Sequence, residues 1–317
     1  METLLSVDDL RLRYDEPRDA VANVSFKISA GSIFALVGPN GAGKTSVLRM
    51  LATLQAPTSG TIKLDGVDLV ADAAEARRRL GFLPDNFSLY DRLTPVDYLD
   101  FWARLYGLPE RGKKERIEAL LDELGLADKR NAIIGSLSRG MRQRLGLGRA
   151  LVHEPKLLIL DEPASALDPA ARERLQLLLT RWKKRGLAII ISSHILPDLA
   201  AIADAVGIME RGKMVQSGSI ADVARDVRGV QIYRIELSGG IDKARKVFDE
   251  RFGVAHPVSE PDPGCFELAI GGEKDGDDAI AGLVEALVLR GARVRSVGPK
   301  ESALEAVYRA SAVAEVA

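Results

Sequence analysis

Eight consecutive residues, Gly38-Pro39-Asn40-Gly41-Ala42-Gly43-Lys44-Thr45, follow directly on the apolar run Ile33–Val37 and lead into a helical stretch from Lys44. Strand, glycine-rich loop, helix: that order leaves few folds open. Glycines let the backbone curl until successive N–H groups converge, and the start of the next helix adds a dipole that favours negative charge there. Such a loop is built to hold phosphate. Lys44 is placed to contact the β and γ phosphates of a nucleotide, and the Thr45 hydroxyl, with Ser46 beside it, to ligate Mg²⁺.

A second segment fits the same chemistry. Leu157-Leu158-Ile159-Leu160 runs into Asp161-Glu162, which describes a buried strand delivering carboxylates to a crevice at its C-terminal end. Asp161 suits Mg²⁺ through its water shell, and Glu162 suits a general base on an attacking water. His194 follows the apolar strand Leu187–Ile191 and stands at the matching strand end, within reach of a γ-phosphate oxygen. The same histidine can equally cap the following helix.

Around these segments, short β-rich runs alternate with helical stretches up to about residue 225. Val24–Ile28 and Leu80–Leu83 add strands; helices are expected near 44–54, 95–107, 113–124, 139–152 and 169–185. The helix near 95 opens on Thr94-Pro95-Val96-Asp97, an N-cap, a first-turn proline and an acid. Tyr98, Phe101, Trp102 and Leu105 give it an apolar stripe. The alternation argues for an α/β fold on a largely parallel sheet. Beyond 225 the chain turns acidic and reads strand 230–237, helix 241–252, strand 254–258, a turn at 260–264, strand 265–270, helix 278–290, strand 292–297 and helix 301–313. That is a βαββαβ, ferredoxin-like order with one extra helix. Two domains are therefore expected, 1–225 and 226–317.

In its 317 residues, 44 Lys and Arg against 45 Asp and Glu give a net charge of -1, which excludes a globally basic nucleic-acid binder. The single cysteine, Cys265, excludes an intrachain disulfide framework. No apolar run reaches the length of a membrane span, and the acidic N-terminus does not read as a secretory signal.

Leu137-Ser138-Arg139-Gly140-Met141, just ahead of the Asp161-Glu162 strand, resembles the LSGGQ signature of the ATP-binding subunits of ABC transporters. Ser165-Ala166-Leu167-Asp168 resembles the D-loop of that family, His194 its switch histidine, and Tyr14 the aromatic that stacks on adenine. A tyrosine at a strand end is also ordinary edge packing. The resemblance covers about residues 3–220. It implies a P-loop NTPase fold with a helical subdomain, ATP and Mg²⁺ as ligands, and ATP hydrolysis. It also implies head-to-tail pairing, in which Ser138, Gly140 and Asp168 complete the site of the other copy.

Two motifs depart from the family pattern. Arg139 and Met141 stand where the signature has glycine and glutamine, and Asp85 stands where a Mg²⁺-reaching glutamine is usual. The SRGM form, the appended domain and the ending Pro299–Tyr308 resemble the ABC-2 exporter branch. That branch implies a homodimer beneath a separate integral membrane permease, on the cytoplasmic face of a bacterial inner membrane, and no nucleic acid. A soluble ABC-type ATPase acting on nucleic acid or ribosomes, or a non-hydrolysing regulator, is the alternative. Against it stand the absence of coiled coils and tandem ATPase domains, and the joint presence of Lys44, Asp161, Glu162 and His194.

Overall fold

The structure, a computed structural model, describes residues 3–14, 19–165, 167–193, 199, 201–220, 222–223, 230–251, 258–271 and 276–299. His194, Ala166 and the helix expected over 301–313 lie outside them. The chain divides into two compact units, Met1–Ile220 and Ala221–Ala317.

In the first unit, β1 (Thr3–Arg13), β2 (Asp19–Ser29), β4 (Ser59–Leu64) and β5 (Val67–Asp68) form an antiparallel sheet in the order β2-β1-β4-β5. A second sheet has the order β10-β9-β3-β8-β7-β6. Its centre is β3 (Ile33–Val37), β8 (Ala188–Ser192) and β7 (Leu157–Leu160), buried at every position. Strands without a polar face must be covered on both sides, as parallel strands are. β6 (Leu80–Leu83) and β9 (Ala205–Glu210) extend this parallel set, and β10 (Lys213–Ser219) closes its edge antiparallel. The main core lies between the two sheets and α1 (Lys44–Leu51), with Phe26 of β2 stacked on Phe34 of β3 at 4.8 Å.

Between β5 and β6 runs the short α2 (Ala73–Arg79). Three further helices, α3 (Pro95–Leu105), α4 (Lys113–Glu123) and α5 (Arg139–Leu151), pack on one another after β6. Thr94 caps α3 as its sequence dictates, accepting from Asp97 N at 3.2 Å. The stripe expected on α3 is rotated, however. Tyr98, Leu99 and Ala103 face the core, whereas Phe101 and Leu105 are exposed. Phe101 instead meets the ring of Tyr90 edge-on at the surface. α6 (Pro169–Lys184) follows β7.

In the second unit, β11 (Val230–Gly239), α7 (Ile241–Arg251), β12 (Val258–Asp262), β13 (Cys265–Gly271), α8 (Gly276–Leu289) and β14 (Arg293–Pro299) make an antiparallel sheet in the order β12-β13-β11-β14. This is split-βαβ topology. Its core joins Tyr233, Ile235, Phe266 and Leu268 to Val247, Phe248, Leu283 and Leu287 of the helices. The second strand is described over Val258–Asp262, and residues 254–257, where it was expected to begin, lie outside the described residues. Pro261 suggested a turn, but β12 is an edge strand with only β13 beside it, where a missing N–H is tolerated. The turn tightens to Pro263-Gly264, and Glu260 closes it by accepting from Gly264 N at 3.0 Å.

Candidate functional site

The loop 38–43 leaves β3 at its C-terminal end and hands over to α1 at Lys44. Gly43 has φ +98°, and a Cβ there would stand 2.7 Å from the Ala20 carbonyl, so glycine is required on both counts. No acid occupies the first turn of α1, which leaves its N–H groups to an outside anion. Lys44 is buried and folds back over the loop, donating from Nζ to the carbonyls of Gly38 at 2.7 Å and Pro39 at 3.2 Å. Burial lowers its pKa, and the nearby charges of Glu162 and Asp161 oppose that shift.

Asp161 and Glu162 continue β7 past its last paired residue. Because Leu160 pairs with Ile191, the next residue of β8, Ser192, comes beside Asp161. Ser192 is fully buried and Asp161 only 3% exposed. The Ser192 hydroxyl donates to Asp161 Oδ1 at 2.7 Å and accepts from Glu162 N at 2.9 Å, so one side chain fixes both carboxylate residues. Glu162 has φ +47°, a left-handed conformation that costs a non-glycine residue about 1–3 kcal/mol and collects at functional sites. Sequence reasoning passed over Ser192. Its only signal was a hydroxyl at the end of an apolar strand, and the register that gives it a role is a tertiary fact.

Together these residues line one cleft of about 320 Å³: Ala20, residues 40–46, Asp85, Asp161 and Glu162. It offers convergent N–H groups and an ammonium on one wall and carboxylates on the other. Among the described residues no group of three His, Cys, Asp or Glu gathers to hold a metal unaided. The donor set fits Mg²⁺, which takes one or two protein oxygens and completes its shell with phosphate and water. Among the described residues, Asp161 Oδ2 makes no hydrogen bond, and the Thr45 hydroxyl lines the same cleft.

Asp85 sits just beyond β6 and accepts a long 3.4 Å bond from the Ser165 hydroxyl. Tyr14, past the end of β1, is 45% exposed and its hydroxyl approaches Ser46 Oγ of α1 at 3.4 Å. Ser138 is the N-cap of α5 and Gly140 lies in its first turn; Asp168 is the N-cap of α6, accepting from Ala171 N at 2.8 Å. These three line a second cleft, with Arg139, Arg144 and Arg174, and none of them lines the cleft of the loop. Gln143, a further residue not singled out from sequence, ties α5 to the carboxylate strand by donating to the Pro163 carbonyl at 3.0 Å.

Residues 21–165 match the family model described as ABC transporter. Over 96% of this chain and 98% of the relative, the sequence is 37% identical to the uncharacterized ABC transporter ATP-binding protein YxlF of Bacillus subtilis (strain 168). It is 35% identical to the probable multidrug ABC transporter ATP-binding protein YbhF of Escherichia coli (strain K12), over 70% of this chain and 38% of that protein. A solved structure described as the ATP binding subunit of an ABC transporter superposes with a TM-score of 0.65 at 32% identity, covering 71% of this chain and 93% of that one.

Proposed function

The chain belongs to the ATP-binding subunits of ABC transporters, an ATPase family, and from that premise we propose that it is the motor of an exporter. In this reading two copies pair head to tail beneath a separate integral membrane permease of the ABC-2 type. The observation that carries the hydrolytic part is the Ser192 hydroxyl holding Asp161 and Glu162 against the wall opposite Lys44.

Residues 38–46 receive the phosphates of ATP on their N–H groups and on Lys44, and Tyr14 stacks on the adenine. Thr45 and Asp161 hold Mg²⁺, with Asp85 reaching it through water. Mg²⁺, when bound, neutralises charge on the phosphate oxygens. Glu162 takes the proton from the attacking water, and its strained backbone keeps that carboxylate aimed into the cleft. His194 contacts the γ-phosphate. Ser138, Gly140 and Asp168 stand apart from their own loop's cleft, which supports a site completed by a second copy. A γ-phosphate held between two chains ties them together, and its hydrolysis releases them.

Among the described residues no helix is long and apolar enough to cross a membrane. In this reading the permease carries the substrate, with this subunit docked on its cytoplasmic face. The exposed rings of Tyr90 and Phe101, with Leu105, offer an apolar patch for that contact. The SRGM signature and the relatedness to a probable multidrug protein support export.

The test uses a tagged Glu162→Gln chain recovered from detergent-solubilised native membranes, with its mass measured with and without ATP. The expected result is an ATP-dependent dimer that brings down a polytopic membrane protein whose loss impairs efflux. Recovery of ribosomes or nucleic acid, a chain that stays monomeric with ATP, or a permease that supports uptake would each overturn the corresponding part.

A further inference from the structure

Arg149 lies in the last turn of α5, where a cation suits the helix dipole. It is half-buried, yet among the described residues it has no carboxylate partner; Nη2 reaches the Phe82 carbonyl only at 3.5 Å. Two aromatic rings take the place of a counter-ion. Its Cζ stands 5.7 Å from the ring centre of Phe87 and 5.2 Å from that of Trp102, distances at which ring faces attract a guanidinium.

The two rings belong to different parts of the unit. Phe87 is two residues beyond Asp85 of the nucleotide cleft, and Phe82 is three residues before it, so Arg149 grips that segment on both sides. Phe87 also rests directly on the backbone of α5: a Cβ on Gly146 would stand 2.6 Å from its ring. Trp102 is on α3, edge-on to the exposed Phe101 at 5.6 Å. Burial raises the Tyr98 pKa, and the nearby Arg149 and Trp102 oppose that shift, although among the described residues neither the Tyr98 hydroxyl nor the Trp102 Nε1 completes a well-formed hydrogen bond.

We infer that Arg149 is a positioning residue: its guanidinium, held between Phe87 and Trp102, carries movement of the Asp85 segment to the aromatic surface of α3. The inference rests on the nucleotide reading above. Arg149 itself touches neither the phosphate loop nor the carboxylates, so its removal spares binding and breaks only the transmission.

Trp102 is its own reporter. The nucleotide-dependent change in tryptophan emission is measured on the full chain with a non-hydrolysable ATP analogue and Mg²⁺, and assigned to Trp102 by its loss in Trp102→Phe. Nucleotide affinity is measured separately by calorimetry. In Arg149→Met and in Phe87→Leu the emission change falls at least about fivefold while affinity stays within about twofold, and Arg149→Lys retains part of it because the charge remains over the rings. Equal emission changes in wild type, Arg149→Met and Phe87→Leu, or no change in wild type despite calorimetric binding, would overturn the inference. Absence of calorimetric binding to wild type would instead remove the nucleotide reading on which it stands.

Discussion

Replacing Ser192 by alanine removes one oxygen and two hydrogen bonds from a fully buried position. The bond to Asp161 has a charged acceptor and contributes about 1.5–3 kcal/mol; the bond from Glu162 N contributes about 1 kcal/mol, and its loss leaves a part-buried N–H without that acceptor. A net loss of about 3 kcal/mol follows, which for a unit of this size lowers the melting temperature by roughly 6–12 °C. The catalytic effect is of similar size, since about 100-fold in rate corresponds to about 2.7 kcal/mol. With its N–H released, Glu162 can relax from its left-handed conformation, and a general base displaced by about 1 Å costs up to roughly 100-fold in turnover. The phosphate loop is untouched, so KM for ATP stays within about threefold. Calorimetric melting and steady-state ATPase kinetics read both effects. A melting temperature within about 2 °C of wild type, or a raised KM with unchanged kcat, would refute this account of Ser192.

Three further outcomes are expected. Lys44→Ala loses at least about tenfold in nucleotide affinity by calorimetry, because the charged bonds it would give the phosphates are worth about 1.5–3 kcal/mol; wild-type affinity would contradict its place in the cleft. Glu162→Gln lowers turnover by about 100-fold or more while binding survives, and an unchanged rate would remove Glu162 as the base. His153 is held neutral, its pKa lowered first by burial and then by the Arg116 charge, against a bond to the Leu80 carbonyl. The unfolded chain therefore binds a proton that the folded one refuses, and stability falls as pH drops below about 6.5, by at most about 1.4 kcal/mol per pH unit. His153→Gln should flatten that decline in urea titrations between about pH 7.5 and pH 5.5; an unchanged slope would assign it to other groups.

Contiguity explains which parts of the site were legible. The phosphate loop is eight adjacent residues with a strand before and a helix after, and Asp161-Glu162 are neighbours at a strand end. Ser192 is separated from Asp161 by 31 positions and meets it only through the pairing of Leu160 with Ile191. The fully buried strands β3, β7 and β8 stood out for a similar reason, since burial on both faces leaves a near-unbroken apolar run. β1 and β4 did not, because exposed positions interrupt their apolar runs, and β10 did not, because it closes an edge.

The sequence alone settled the chemistry on offer and the class of fold that presents it, because glycine, lysine, threonine and carboxylates act there through local backbone geometry. Tertiary structure decided the rest. It turned α3 so that Phe101 and Leu105 face outward, ran β12 through Pro261 at an unpartnered edge, and laid Arg149 between two rings from separate segments. Each outcome depends on which distant surface lies alongside, a competition among whole-chain packings that no local pattern encodes.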